Sequence, residues 1–260
     1  MGDSDDQDEP RSTGSRNKVA PMVGAEIPPG LAYLAPLGMI IVKQQHELAE
    51  LICGCECQNS YLIKDQFGRD IFQAKEDSCC MTRQCCGPDR CFEMTIKNFQ
   101  GAEVIHLQRP LRCRSCLFCC CLQKINVFSP PGNLIGSVKQ TCTLCKPNFN
   151  VRNEMGEVVF KIKGPCCTSS CCGNDVSFNL FTPDGDTQVG RIAKTWGGIL
   201  SEAFTDADNF GITFPVDLDV RMKATLIGAC MLIDYMFFER GGGEAAGATG
   251  AAAGFLSAFF

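Results

Sequence analysis

The sequence predicts a mainly β fold, a closed antiparallel barrel of about twelve strands around a C-terminal hydrophobic helix. Two observations support this prediction. Segments that alternate apolar and polar residues are repeatedly joined by short turns containing glycine, which is the pattern of β-hairpins. One later stretch, Val220–Phe238, is apolar on every side, so a helix formed by it leaves no face for water.

The hairpin pattern occurs five times between Asn59 and Ile192. A β-rich segment, Met39–Val42, precedes it, and a single alternating segment, Phe210–Phe214, follows it. The predicted turns lie at residues 65–68, 98–101, 129–132, 153–156 and 183–185. Twisted sheets of this size tend to close or split, and closure removes exposed edges. Because side chains alone do not fill so wide a barrel, we expect the hydrophobic helix to fill it.

The stretch Val220–Phe238 has two interpretations. As a helix it would rise about 28 Å, close to the ~30 Å of a hydrocarbon core, which is consistent with a membrane span. Its uninterrupted apolar part, Ala224–Ile233, is shorter and stops at Asp234. A short apolar run and an acid that is costly in lipid favour a buried core helix, and so does the need for a plug inside the barrel.

The chain divides into three predicted regions. Residues 1–27 form a disordered acidic tail, because the first ten residues hold five acids and no base, which accounts for the whole net charge of −5. Residues 28–239 form the barrel domain with its helix at about 220–239, and residues 240–260 form a flexible low-complexity tail. The polar N-terminus does not have the pattern of a signal peptide, and the balanced charge of the remainder predicts no nucleic-acid partner.

The 20 cysteines need an explanation other than disulfide bonds if the chain stays in the reducing cytosol. The densest run, Cys113–Cys121, lies in a predicted connection between hairpins. Palmitoylation is one interpretation, because several acyl chains beside a basic patch hold a protein firmly on a membrane. The candidate acylation sites are Cys116, Cys119, Cys120 and Cys121, and the basic residues expected to contact anionic lipid are Arg109, Arg112, Arg114 and Lys124.

Two other interpretations of the cysteines remain open. The thiols are inert, or pairs with the CxxC spacing, such as Cys113/Cys116 and Cys142/Cys145, bind zinc. The chain has only two histidines, His46 and His106, and neither belongs to such a pair, which counts against zinc.

Residues 206–217 partly match a calcium-binding EF-hand loop. Asp206 and Asp208 occupy loop positions 1 and 3, Gly211 occupies position 6 and Asp217 occupies position 12. The predicted calcium ligands are Asp206, Asp208, Phe210, Ile212 and Asp217. So few charged ligands imply weak binding, with a dissociation constant of roughly 10⁻⁴–10⁻³ M. The alternative is an acidic turn that leads into a β-strand.

Between Pro28 and Glu239 the chain resembles the calcium-dependent, cysteine-rich phospholipid scramblases. The matching segments are Pro28–Leu31, Cys85–Pro88, Arg109–Cys113, Pro130–Gly132, Glu202–Gly211, Asp217–Asp219 and Ile227–Cys230. The resemblance implies a tubby-like fold with twelve strands around a C-terminal helix. It also implies calcium-activated, ATP-independent, bidirectional movement of phospholipids across a bilayer.

The resemblance places the family's functional segments on this chain. The palmitoylated run falls on Cys116–Cys121, where Leu117 and Phe118 replace two cysteines and Cys119 replaces a proline. The calcium segment falls on Asp206–Asp217. A nuclear-import segment falls on Gly190–Ile199, where three residues fit and Thr195 replaces a base. The fitting residues are Arg191, Lys194 and Trp196.

The resemblance and the residues together predict a lipid translocator without covalent chemistry. The sequence has no P-loop and no credible pair of nucleophile and base, so pumping and hydrolysis are not expected. The expected location is the cytoplasmic face of the plasma membrane, with internal membranes or the nucleus as other locations. Expected partners are the phospholipids of the inner leaflet and, with calcium, a second copy of the chain. The alternative is a palmitoyl-anchored adaptor that recognises anionic lipid and protein partners without moving lipid.

Overall fold

The structure of the protein, a computed structural model, describes residues 27–45, 58–112, 121–143, 146–166, 176–195 and 209–239. These residues form twelve strands and two α-helices. The strands are β1 Met39–Gln45, β2 Ser60–Asp65, β3 Asp70–Asp77, β4 Phe92–Asn98, β5 Glu103–Arg109, β6 Lys124–Ser129, β7 Asn133–Thr141, β8 Asn148–Asn153, β9 Val158–Lys163, β10 Val176–Phe181, β11 Gln188–Thr195 and β12 Asn209–Thr213. The helices are α1 Cys80–Cys86 and α2 Val220–Phe237.

The strands form one closed antiparallel barrel. Each strand pairs with its neighbours in sequence, and β12 closes the barrel on β1 through pairs that run from Met39↔Thr213 to Lys43↔Asn209. The predicted barrel of about twelve strands is thereby confirmed, and the five predicted hairpins are β2–β3, β4–β5, β6–β7, β8–β9 and β10–β11. Each of their turns contains a glycine at positive φ, such as Gly101 at 81° and Gly156 at 83°, a conformation that glycine adopts without steric cost.

The interior of the barrel is filled by α2. Every residue from Val220 to Met236 is buried except Arg221, and the inward side chains of the strands join those of the helix in one hydrophobic core. Helix and wall approach closely at Gly228, where an added Cβ would lie 2.7 Å from Cγ2 of Val127. The interpretation of this stretch as a buried core helix is therefore confirmed. Within the described ranges, we find no helix with the length and apolar character needed to cross a membrane.

The start of α2 is attached to the segment before β1 by a buried lysine. The side chain of Asp219 caps the helix by accepting a hydrogen bond from the backbone N–H of Arg221 at 2.8 Å. One turn later, the side chain of Lys223 is fully buried. The ammonium donates to four backbone carbonyls at 2.7–3.1 Å, those of Leu34, Ala35, Leu37 and Val216. Burial lowers the pKa of Lys223, and the nearby acids Asp217 and Asp219 partly oppose that shift.

The end of α2 is held by a buried ionic network around Arg90. The guanidinium of Arg90 donates to both carboxylate oxygens of Glu76, at 2.7 and 3.0 Å, and also to Glu239. The hydroxyl of Tyr235 donates to Glu76 at 2.8 Å, and that of Tyr61 donates to Asp234 at 2.8 Å. The acid that interrupts the apolar stretch is thus satisfied by a hydrogen bond from the barrel wall.

Two carboxylates share the single guanidinium of Arg90, and their pKa values shift in opposite directions. Burial alone would raise the pKa of Glu76, but the hydrogen bonds and charge of Arg90 hold it below its usual range. Burial raises the pKa of Glu239 to about 7 despite the same partner. The folded state therefore binds a proton at Glu239 that the unfolded state releases near pH 4.5, so ionisation of Glu239 makes folding less favourable as the pH rises through 7.

We expect the substitution Glu239→Gln to flatten the dependence of stability on pH. Between about pH 5 and 8 the wild-type chain should lose on the order of 3 kcal/mol of unfolding free energy through Glu239, and the variant should lose much less. Denaturant titrations at several pH values measure this difference. The exposed Glu157 provides the control, because Glu157→Gln should leave the wild-type profile unchanged. Equal profiles for wild type and Glu239→Gln would contradict the shifted pKa.

Candidate functional site

The barrel has two rims with different chemistry. Because consecutive strands pair in antiparallel order, the turns within hairpins lie at one end, which we call the hairpin rim, and the connections between hairpins lie at the other, which we call the connection rim. Every cysteine except Cys230 belongs in sequence to a connection between hairpins or to the connection between β1 and β2. All these connections leave and re-enter the barrel at the connection rim, which makes that rim the candidate functional site.

The predicted acylation run belongs to the connection between β5 and β6. Cys116, Cys119 and Cys120 lie outside the described residues, and Cys121 is partly exposed. On the neighbouring connection, α1 exposes Cys79, Cys80 and Cys85. Two large apolar side chains are exposed at the same rim, Met81 at 71% and Leu111 at 61%. The connection rim therefore combines free thiols with apolar side chains that favour contact with a membrane.

The four basic residues predicted to contact lipid separate into different environments. Arg109 is buried, and its guanidinium donates to the side chain of Gln123 and to the carbonyl of Pro88. From that position it does not reach a lipid headgroup, so the prediction is wrong for Arg109. Its place on the inward face of β5, two residues after the buried Leu107, was the signal available in the sequence.

Arg112 and Lys124 are half-buried on either side of the acylation run, while Arg114 lies outside the described residues. One Nη of Arg112 donates to the carbonyl of Leu122 at 3.4 Å. The prediction of lipid contact therefore continues to apply to Arg112 and Lys124, both at the connection rim.

The acidic segment does not form a loop around one ion. Asp206 and Asp208 lie outside the described residues, whereas Asn209–Thr213 forms strand β12, paired on both sides with β1 and β11. Phe210 and Ile212 are buried in the core. Four residue steps of strand cover about 13 Å, whereas calcium lies only 2.3–2.6 Å from its ligands.

The prediction is therefore wrong for two of the calcium ligands, and a third lies at the opposite end of β12 from the start of the strand. Phe210 and Ile212 cannot be ligands, because their side chains are in the core and their backbone belongs to the sheet. Asp217 is exposed beyond the far end of β12, at the hairpin rim. The length of β12 separates Asp217 from Asn209, the first described residue of the segment, which lies at the connection rim. The alternative interpretation, an acidic turn entering a strand, fits the described half of the segment.

The segment that resembles an import signal is largely part of β11. Arg191 is exposed, but Lys194 is buried with its ammonium 5.2 Å from the ring centroid of Phe210 and 4.9 Å from that of Phe238. Trp196 lies outside the described residues. Because an import receptor needs exposed basic side chains, the folded barrel does not present Lys194 for recognition.

The described part of the chain contains no group of three or more His, Cys, Asp or Glu side chains placed to hold a metal ion. Of the proposed zinc ligands, Cys113, Cys116 and Cys145 lie outside it, and Cys142 is exposed.

The fold and its rims define a closed barrel whose interior is occupied, so any ligand must bind on the outer wall or at a rim. The chain belongs to the scramblase family, whose family description, Scramblase, matches residues 17–240. It is 53% identical over 225 residues to phospholipid scramblase 1 of Homo sapiens, which covers 86% of this chain and 70% of the relative. It is 50% identical over 225 residues to phospholipid scramblase 2 of Bos taurus, and this match covers 86% of this chain and 76% of the relative.

A third relative is phospholipid scramblase family member 5 of Homo sapiens, 45% identical over 213 residues, or 82% of this chain and 78% of the relative. Among solved structures, a protein from Arabidopsis thaliana matches with a TM-score of 0.41 and 15% identity. The match covers 77% of this chain and 93% of the Arabidopsis chain.

Proposed function

We propose that this protein moves phospholipids between the leaflets of a bilayer in both directions, without ATP or covalent chemistry, and that calcium activates the movement. The observation that carries the proposal is the 53% identity over 225 residues with a protein named phospholipid scramblase 1. The structure adds a constraint on mechanism. Because α2 fills the barrel, headgroups would have to travel over the outer surface rather than through the interior.

The proposed location is the cytoplasmic face of the plasma membrane, with the connection rim against the inner leaflet. Acyl chains on Cys116, Cys119, Cys120 and Cys121 would provide one attachment, and Arg112, Arg114 and Lys124 would provide the other by contacting anionic headgroups. One acyl chain alone binds a membrane weakly, and a basic patch beside several chains makes the attachment stable.

The proposed function is tested with the purified chain in liposomes that carry a fluorescent phospholipid. An impermeant quencher added outside reports how much lipid has crossed from the inner leaflet. We expect calcium to increase crossing above that of protein-free liposomes in the absence of ATP. If calcium adds nothing beyond the protein-free rate, the proposed activity is contradicted.

The calcium ligands can be tested separately from the activity. Because β12 separates Asp217 from the segment that precedes Asn209, we expect Asp217→Asn to retain the calcium response of the wild type. The double substitution Asp206→Asn with Asp208→Asn should shift the response to higher calcium. Crossing measured over a calcium titration checks both outcomes. Loss of the response in Asp217→Asn alone would mean that Asp217 is a ligand after all.

The sealed interior favours one second function, that of a palmitoyl-anchored adaptor that binds anionic lipid and protein partners without moving lipid. Cys230 in α2 is fully buried and provides the discriminating measurement. In an adaptor, Cys230 should react neither with polar thiol reagents nor with lipid-soluble ones, with or without calcium. Exposure of Cys230 to the lipid-soluble reagent on addition of calcium would show that α2 leaves the barrel, which contradicts the adaptor. A shielded Cys230 together with calcium-dependent crossing would show a scramblase that moves lipid over its outer surface.

The proposed anchor has its own test. Acyl groups in thioester linkage are removed by hydroxylamine and can be exchanged for a mass label. Replacing Cys116, Cys119, Cys120 and Cys121 by Ala should abolish the label and release the protein from membranes. A label that persists in this variant would assign acylation to other cysteines, for which the exposed Cys79, Cys80 and Cys85 of α1 are the nearest candidates at the same rim.

A further inference from the structure

Charge is distributed unevenly around the barrel wall. Strands β2 to β5 each contain at least one acidic residue. The next five strands, β6 to β10, contain no acid and five bases. These bases are Lys124, Lys139, Arg152, Lys161 and Lys163. A wall of this composition attracts anions although the whole chain is acidic.

The strand register brings several of these bases together on the outer surface. Lys124 of β6 lies directly opposite Lys139 of β7, and Lys139 lies opposite Asn150 of β8. Asn150 in turn lies opposite Lys161 of β9. Strands are spaced about 4.8 Å apart, so this row places donors at regular intervals. We call the surface formed by Lys124, Lys139, Asn150, Arg152 and Lys161 the basic wall.

The second row of the wall contains Arg152, opposite Ser137 and diagonal to Lys139. Its Nη1 donates to the carbonyl of Gly156 at 2.8 Å, while its Nε has no hydrogen-bond partner. Asn126 of β6 lies opposite Ser137 on the other side. Amide and hydroxyl groups thus lie between the cationic side chains, which is the mixture of donors that binds phosphate oxygens.

Three cations of the basic wall form no salt bridge within the described part of the chain. Within the described ranges, no carboxylate oxygen lies within 4.0 Å of the charged nitrogens of Lys124, Lys139 or Arg152. Burial lowers the pKa of Lys124, and the charges of Arg112, Lys139 and Arg152 lower it further. Like charges directly opposite each other in a sheet are destabilising. The wall therefore carries repulsion that a bound anion would relieve.

We propose that the basic wall is a binding site for the clustered phosphate groups of a polyphosphorylated lipid headgroup. Several phosphates on one ring match several cations spaced by one strand, whereas a single phosphate would engage only one or two of them. The wall begins at the connection rim, where Lys124 borders the acylation run. An acyl-anchored barrel would therefore hold the wall at the level of the headgroups in the same leaflet. This inference rests on the proposed membrane attachment.

The test uses the full-length chain without acyl groups, so that lipid binding reports headgroup recognition alone. Three vesicle types are compared: phosphatidylcholine only, phosphatidylcholine with phosphatidylserine, and phosphatidylcholine with phosphatidylinositol bisphosphate at the same total charge. We expect the tightest binding to the bisphosphate vesicles. Lys124→Gln, Lys139→Gln and Arg152→Gln combined should weaken that binding roughly 100-fold, given the usual contribution of a base at an anionic surface.

A matched control removes the same charge elsewhere. Lys75, Lys97 and Arg191 are exposed on β3, β4 and β11, away from the wall. Their combined change to Gln should weaken binding no more than about threefold, because salt screens the long-range attraction between these distant bases and the membrane. Thermal unfolding checks that both variants fold. The wall variant should unfold at a temperature no lower than the wild type, because its substitutions remove like charges that face each other.

Each other outcome contradicts the proposal in a specific way. Equal weakening by the two triple variants would show that only net charge matters. Equal binding to phosphatidylserine and bisphosphate vesicles would show that clustered phosphates are not recognised. Tight binding of a soluble inositol polyphosphate without binding to the bisphosphate vesicles would assign the wall to a free phosphate ligand. Failure of the liposome crossing assay, with vesicle binding as expected, would contradict the proposed function and leave this site intact.

Discussion

Replacing Lys223 by Met should lower the free energy of unfolding by at least about 3 kcal/mol, because four backbone carbonyls lose their shared donor. The methionine has a similar volume but cannot donate to Leu34, Ala35, Leu37 or Val216. These carbonyls belong to the chain on both sides of the barrel closure, before β1 and after β12. Denaturant titration followed by far-ultraviolet circular dichroism measures this loss of unfolding free energy.

The control for Lys223→Met is Lys75→Met, which removes a lysine from an exposed strand position and should change stability by less than about 0.5 kcal/mol. Lys223→Arg is a second informative variant, because it keeps the charge but requires more room in a fully buried site. An unfolding free energy of Lys223→Met within about 1 kcal/mol of that of the wild type would mean that water replaces the ammonium.

Replacing Arg90 by Met should lower the free energy of unfolding at neutral pH by about 3–5 kcal/mol, since it leaves buried carboxylates without a counter-charge. Glu76 and Glu239 both accept hydrogen bonds from this guanidinium. Without it, burial should raise the pKa of Glu76 as it already raises that of Glu239. The loss should therefore be largest above pH 7 and smaller near pH 4, where both carboxyls are protonated even in the unfolded chain.

The double variant Arg90→Met with Glu76→Gln should recover part of the loss, because it removes the charge that Arg90 neutralises. Arg191→Met, at an exposed position of β11, controls for the removal of an arginine. Denaturant titrations of these variants at acidic and neutral pH measure the effect. If the loss in Arg90→Met were the same at both pH values, packing against Tyr235 rather than charge would be the cause.

The alternation of residues was sufficient to predict the barrel. Each of the five hairpins formed where the period-two pattern and a glycine-containing turn coincided, and the flanking strands β1 and β12 formed at the β-rich segment Met39–Val42 and at the alternating segment Phe210–Phe214. The predicted helix begins at Val220 as expected and ends at Phe237, one residue before the end of the apolar stretch. These features depend on local sequence, so a single sequence reveals them.

The polar interior could not be predicted in the same way. Arg90 and Glu76 are separated by 14 residues and meet only because β3 and the segment before β4 enter the same rim. Lys223 interrupts an apolar helix, and three of its four carbonyl partners precede it by 186–189 residues of sequence. Helix α1 was not anticipated, because its run of cysteines has no amphipathic period. Such contacts depend on barrel closure, which no local pattern encodes.

The candidate site was predicted in part. The connection holding the acylation run was placed correctly between two hairpins, whereas Arg109 turned inward and the calcium segment became half strand. The basic wall was missed except for Lys124, because its residues are scattered over four strands. The absence of acids from β6 to β10 was the available signal.

The position of α2 in the chain has a consequence for how the protein is made. Ribosomes release the N-terminal strands first, but the helix that forms the centre of their core comes last, after β12. Until α2 is synthesised, the strands have inward apolar faces and nothing to pack against. The nascent barrel therefore exposes these faces for nearly the whole of its translation. A ribosome that stalls before Val220 should yield a chain that aggregates or is degraded rather than a smaller folded domain.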